Sequence, residues 1–286
     1  MARVRAWIEL TKPGITRLVV VTAAAGFYLA ASASFDVVIF VHALIGIALS
    51  ASGANTLNQF IERDADRHMR RTSRRPLPTG PLSSGEGLAV GVILASLGLL
   101  QLALFVNLLT TIIVAASLLS YLLVYTPLKK RTWHATVVGA VPGALPILAG
   151  WTAGGGAINA RGLALFAIVF LWQMPHFFAL AWMYREDYVR GGFRMLSAFD
   201  PAGTRTARQI VIWTIALVAA SLLPASLGMA GSFYVFTATA LGLVFLGFGA
   251  AMVGVRNAAR ARRVFLASVV YLPVLLGTLV LDRLTG

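Results

Sequence analysis

Long apolar runs alternate with short polar connections along nearly the whole chain. Windows of about 17 to 25 apolar residues, enough to cross a hydrocarbon core of roughly 30 Å, fall near 14–33, 37–57, 86–106, 108–126, 136–153, 162–183, 209–226, 229–254 and 264–281. The pattern predicts an all-α, polytopic membrane bundle of nine transmembrane helices, with residues 1–286 forming one domain. The stretch before the first window has no long apolar core with a small-residue cleavage site, so that first span is expected to be retained. Pro76, Pro78, Gly80 and Pro81 break the chain ahead of the third window.

The placement of polar residues within this pattern points to chemistry. The stretch Asn55–Thr79, NTLNQFIERDADRHMRRTSRRPLPT, starts inside the second apolar window and ends in a basic loop. On a continuous helix at about 100° per residue, Asn55, Asn58, Glu62 and Asp66 fall within roughly 80° of one another. Polar side chains leading out of an apolar span are costly and read as functional. Two amides and two carboxylates on one face suit a hard divalent cation, since Mg²⁺ is typically held by one or two carboxylates together with substrate phosphates. Arg70, Arg71, Arg74 and Arg75 follow and could meet phosphate oxygens directly, although arginine-rich loops also serve simply to fix orientation.

Two further stretches repeat the theme. Tyr121, Tyr125 and Lys129 recur at four-residue spacing and so share a face, with Lys130 and Arg131 just beyond. In WQMPHFFALAWMYREDYVRGGFRML, a continuous helix would bring Gln173, His176, Tyr184 and Asp187 within about 80°, with Glu186 in reach if Pro175 shifts the register. The ends of the second and sixth spans thus echo each other, a weak pseudo-repeat that would set two acidic faces across one cavity. Gly139, Pro142, Gly143, Pro146 and Gly150 interrupt the fifth window, a pattern that bends a helix and widens a bundle. The remaining features read as structural. Glu9 and Lys12 belong to an interfacial lead-in and are expected in solvent, His42 is expected to be a satisfied structural histidine, and the last three spans close the bundle.

Composition narrows the function classes. A chain 58% hydrophobic and 12% charged, with mean hydropathy +0.82, lies outside the range of soluble domains. The net charge of +14 raises the question of nucleic acid, but of the 24 Lys and Arg all except Arg161 and Arg283 lie at the N-terminus or in alternate loops. That segregation predicts a cytoplasmic N-terminus and an outside C-terminus, with the lipid bilayer and not nucleic acid as the partner. With no Cys there is no disulfide, thiolate ligand or cysteine nucleophile. A transporter is the non-enzyme alternative, because it too uses intramembrane carboxylates and broken helices. Clustering of the polar residues at one membrane face favours an active site instead.

With these residues in hand, the chain resembles the UbiA superfamily of intramembrane prenyltransferases, and its haem branch in particular. The resemblance rests on ELTKPGIT at 9–16, the Asn58-xxx-Glu62-xxx-Asp66 element followed by MRRTSRRPLPTG, YTPLKKRT at 125–132, GALPILAGW at 143–151, and WQMPHFFALAWMYREDY leading into GGFRML. Two departures stand out: Glu62 where the superfamily usually has Asp, and His176, Glu186 and Asp187 where other branches carry an Asp-rich second motif. The resemblance implies a UbiA-type fold with Mg²⁺ held by Asn58, Glu62 and Asp66, and by Glu186 and Asp187. It implies catalytic roles for Asn58, Glu62, Asp66, Lys129, Lys130 and Asp187. Substrate contacts are implied for Asn55, Arg70, Arg74, Arg75, Tyr121, Tyr125, Arg131, Gln173, His176 and Tyr184. The implied donor is farnesyl diphosphate, and the implied acceptor is haem b, a substrate and not a cofactor, modified at its 2-vinyl group with addition of water to give haem O. A downstream haem A synthase or terminal oxidase assembly is the implied partner, and a phenolic or quinone-precursor acceptor is the alternative within the superfamily.

Overall fold

The computed structural model describes residues 2–31, 35–80 and 82–285, so the end of the first predicted window at 32–33, and Pro81, lie outside the described residues. Among the described residues nine helices are long and apolar enough to cross a membrane: α1 Pro13–Ala30, α2 Val37–His68, α3 Ser84–Phe105, α4 Leu108–Leu128, α5 Ala135–Ala153, α6 Ala160–Met183, α7 Thr204–Ser226, α8 Ser232–Gly254 and α9 Ala258–Arg283. A helix over Ala2–Leu10 precedes them, and a short one over Arg185–Arg190 follows α6.

Local chemistry sets the helix ends. Asp36 caps α2 by accepting the N–H groups of Val38 and Ile39 at 2.9 and 3.0 Å. From there α2 runs unbroken for 32 residues, carrying the Asn55–Asp66 face to the end of the bundle. Ser83 and Glu86 form a capping box at the start of α3. Asn107 turns α3 tightly into α4 and caps it through Thr110 N–H at 2.8 Å. Between the leading helix and α1, Lys12 adopts the left-handed conformation (φ 48°) and Pro13 starts α1.

The bundle is organised around α5, which has 72% of its span buried, the largest share of the nine. Its glycines act through close approach: a Cβ at Gly150 would strike the carbonyl of Ala23 on α1, and one at Gly26 of α1 would strike the carbonyl of Ile147. Contrary to the interrupted helix expected from sequence, Pro142 and Pro146 sit inside a continuous Ala135–Ala153 helix. It packs against α1, α4 and α6 on its several sides, and Ser117 Oγ of α4 donates to the Pro142 carbonyl at 2.8 Å.

Two local departures from regular helix matter for the site. In α4, Ser120–Tyr125 forms a π-helical turn, so Tyr121 and Tyr125 stack with centroids 5.5 Å apart. At Tyr184 (φ −111°, ψ 26°) helix α6 ends, and the chain turns into Arg185–Arg190. The continuous 173–187 face predicted from sequence therefore does not form. His42 is a satisfied structural histidine, as expected: Nδ1 lies 2.6 Å from Gln101 Nε2 and its ring stacks on Phe105.

Candidate active site

A cavity of about 460 Å³ opens at the end of the bundle where α1 begins and α2, α4 and α6 finish. Its mouth is polar. Asp66 is fully buried, its Oδ2 accepts Arg75 Nη1 at 2.7 Å, and its Oδ1 has no hydrogen-bond partner among the described residues. One turn earlier Glu62 pairs with Lys129, both nearly buried. The Lys129 ammonium also lies 4.8 Å from the Tyr125 ring centre and 5.2 Å from that of Phe193. Asn58 accepts from Lys12 Nζ at 2.9 Å and donates to Thr126 Oγ1 at 3.2 Å. The π-turn places that hydroxyl, since Thr126 in turn donates to the Tyr121 carbonyl at 2.8 Å. Asn55 lines the cavity while tying α2 to α1 through Thr16 Oγ1 at 3.3 Å.

Lys12 is a correction to the solvated reading made from sequence. Its left-handed backbone turns the side chain toward Asn58, and burial, then the neighbouring Arg75, lower its pKa to about 7. The signal was present in ELTKPGIT, where a lysine abuts the proline that starts a span, but its partner lies 46 residues away. Arg71 also faces the cavity, its guanidinium over the rings of Tyr184 and Tyr188 at 5.2 and 5.7 Å. Burial raises the pKa of the Tyr188 phenol, which keeps it neutral. No feature of the basic run singled out Arg71 from its neighbours.

The residues expected from α6 and the loops divide. Gln173 and His176 line the cavity. Gln173 Nε2 donates to the carbonyls of Ala140 and Val169, both at 3.2 Å, and its side chain fills the space over Gly143. His176 Nδ1 lies 2.7 Å from Ser268 Oγ of α9, its ring stacked on Trp172 and against Phe265. Helix α9 thus builds the site as well as closing the bundle. Tyr184, Glu186, Asp187, Arg70, Arg74, Lys130 and Arg131 do not line the cavity. Glu186 is exposed, paired with Arg190 at 3.3 Å. Asp187 is buried beneath the 69–75 loop, where its two oxygens accept the backbone N–H groups of Arg70 and Arg71 at 3.2 and 3.1 Å. The two acidic faces expected across one cavity are therefore one face and one loop anchor.

At the mouth, three cations (Arg71, Arg75, Lys129), joined by Lys12 when it is protonated, meet two carboxylates (Glu62, Asp66). Positive charge therefore exceeds negative at the mouth, an arrangement that suits a polyanion. No cluster of three or more Asp, Glu, His or Cys exists among the described residues. The unbonded Asp66 Oδ1 beside Glu62 nevertheless fits a hard divalent cation that takes its remaining ligands from a bound phosphate and water. Deeper in, Val19, Ile47, Val114, Leu145, Val169 and Leu272 form an apolar interior.

Nine spans among the described residues, around a cavity with a cationic mouth and an apolar interior, suit an integral membrane enzyme that handles an amphiphilic anion. The chain belongs to the UbiA prenyltransferase family, which matches it over residues 19–272. It is 47% identical to the protoheme IX farnesyltransferase of Solibacter usitatus, over 98% of this chain and 99% of that one. It is 41% identical to that of Koribacter versatilis, over 98% and 93%. Among solved structures, a digeranylgeranylglyceryl phosphate synthase superposes with a TM-score of 0.83 at 18% identity, covering both chains fully. A UbiA homologue from Archaeoglobus fulgidus bound to GPP and Mg²⁺ superposes with a TM-score of 0.72 at 17% identity, over 97% of this chain and 99% of that one.

Proposed function

We propose that this enzyme transfers the farnesyl group of farnesyl diphosphate to the 2-vinyl group of haem b with addition of water, giving haem O. The observation that carries the reading is the polarity of the cavity: a cationic mouth suited to a diphosphate opens onto an apolar interior suited to a prenyl chain. The activity named for relatives that are 47% and 41% identical supports the choice of donor and acceptor.

In the reaction the C1–O bond of farnesyl diphosphate breaks and the diphosphate leaves with the electron pair. The terminal vinyl carbon of haem b attacks C1, and the cation left beside the porphyrin takes up water and loses a proton. Lys129, Arg71, Arg75 and Lys12 stabilise the charge that grows on the leaving group, a contribution that is largest in a water-poor site. Asp66 and Glu62 would hold Mg²⁺, which when bound offsets the same charge as a Lewis acid. The Glu62–Lys129 pair keeps both charges compensated before the substrate arrives. Gln173, His176 and Trp172 flank the acceptor region, and a vinyl nucleophile requires no general base to activate it. The basic loops and this mouth lie on the cytoplasmic side of a bacterial inner membrane, and the product passes to a haem A synthase or an oxidase assembly.

The test is purified protein with haem b, farnesyl diphosphate and Mg²⁺, with products weighed by mass spectrometry. Haem b gaining one farnesyl group and one hydroxyl group is expected. Consumption of a phenolic or quinone precursor in place of haem b would overturn the assignment. A reporter fused after residue 286 is expected to read outside the cytoplasm.

A further inference from the structure

A second cavity, of about 350 Å³, lies at the same end of the bundle, lined by Trp133, Leu196, Arg205, Arg208, Gln209 and Ile212. It is separate from the substrate cavity, and the segment 193–196 forms the wall between them: Phe193 and Met195 face the substrate side, Leu196 the other. Arg205, Arg208, Gln209 and Ile212 follow an i, i+3, i+4, i+7 spacing and so form one stripe of α7. The stripe begins with two exposed guanidinium groups and continues into Ile212 and Ile215, 44% and 53% exposed on a surface that faces hydrocarbon.

Neither arginine is ion-paired among the described residues, and no carboxylate lines the cleft. The nearest acid in sequence, Asp200, is buried and accepts both the N–H and the hydroxyl of Thr206, at 2.7 and 2.9 Å. Two uncompensated guanidinium forks select a phosphate. Trp133 places an amphipathic ring at the headgroup level, and the isoleucines continue the stripe where acyl chains run. A soluble anion would use only the first half of this arrangement.

We propose that the cleft is a binding site for one anionic phospholipid of the surrounding leaflet, its phosphate held by Arg205 and Arg208 and its chains lying along Ile212 and Ile215. The full-length protein in neutral detergent is titrated with phosphatidylglycerol, with phosphatidylcholine of the same chains, and with millimolar inorganic phosphate. Bound lipid is counted by native mass spectrometry and stabilisation is read from the melting temperature. Wild type is expected to retain one phosphatidylglycerol at concentrations where phosphatidylcholine is lost, and to gain little from inorganic phosphate. Each basic residue near an anionic headgroup changes affinity by about fivefold, so Arg208→Gln is expected to weaken phosphatidylglycerol about fivefold and Arg205→Gln/Arg208→Gln about 25-fold. The equally exposed pair Arg262→Gln/Arg263→Gln should bind as wild type. The proposal is overturned by unchanged affinity in the Arg205/Arg208 variant, by an equal loss in the Arg262/Arg263 variant, by equal retention of phosphatidylcholine, or by full stabilisation with inorganic phosphate alone.

Discussion

Helices α2 and α6 reach the same end of the bundle, α2 with Glu62 and Asp66 on one face and α6 with Glu186 and Asp187 just beyond its end, and the two pairs have different fates. On α2 the helix continues to His68, so Glu62 and Asp66 stand one turn apart on a buried face of the cavity, with Asp66 Oδ1 left unbonded. On α6 the helix stops at Met183, and the acids fall on a short helix of new direction. Glu186 then pairs with Arg190 in solvent, while Asp187 binds the backbone of Arg70 and Arg71. Helix continuity, more than the identity of the acids, decides which pair lines the cavity. The two regions are nevertheless coupled, because the loop that Asp187 anchors carries Arg71 and Arg75, and Arg75 bonds Asp66.

The contrast is sharpest in turnover. Asp66→Asn and Glu62→Gln are each expected to lower kcat by about 10²- to 10³-fold, the typical loss of one charge contact made in the transition state. Glu186→Gln is expected to turn over at the wild-type rate, and a loss matching that of Asp66→Asn would erase the distinction. The basic cluster after α4 divides in the same way. Lys129→Met should lower kcat/KM by roughly 10²-fold, since it removes a buried cation and leaves Glu62 uncompensated, whereas exposed Lys130→Gln should leave steady-state kinetics unchanged.

Smaller effects probe the link between the regions. Asp187→Asn weakens the loop's backbone hydrogen bonds, so KM for farnesyl diphosphate is expected to rise about tenfold with kcat nearly constant, in keeping with roughly 1.4 kcal/mol of lost preorganisation. A fall in kcat as deep as that of Asp66→Asn would mean that Asp187 touches the reacting atoms. Lys12→Gln keeps a polar partner for Asn58 and loses one charge at the mouth. A KM increase of about fivefold is expected, measured by the same steady-state assay.

Spans and the α2 face were legible because they are periodic within one helix: apolar windows set the former, and the spacing of Asn58, Glu62 and Asp66 set the latter. What escaped depends on how separate segments meet. Lys12 reaches Asn58 across 46 residues, His176 reaches Ser268 across 92, and Asp187 reaches Arg70 across 117. No local pattern encodes such distances. The end of α6 also misled, because the 173–187 run keeps helical composition through Tyr184 while the backbone leaves the helix there. Prolines in α5 misled in the other direction, since Pro142 and Pro146 sit within a continuous helix that local propensity would break.

The central claim is that Glu62 and Asp66 of α2, and not the acids that follow α6, assemble the metal-dependent diphosphate site. Its most direct test is calorimetric binding of a non-hydrolysable farnesyl diphosphate analogue, with Mg²⁺ and with chelator, to wild type, Asp66→Asn and Asp187→Asn side by side. The account predicts that wild type and Asp187→Asn both bind more tightly when Mg²⁺ is present, and that Asp66→Asn loses that Mg²⁺ dependence. Retained Mg²⁺ dependence in Asp66→Asn together with its loss in Asp187→Asn would contradict it.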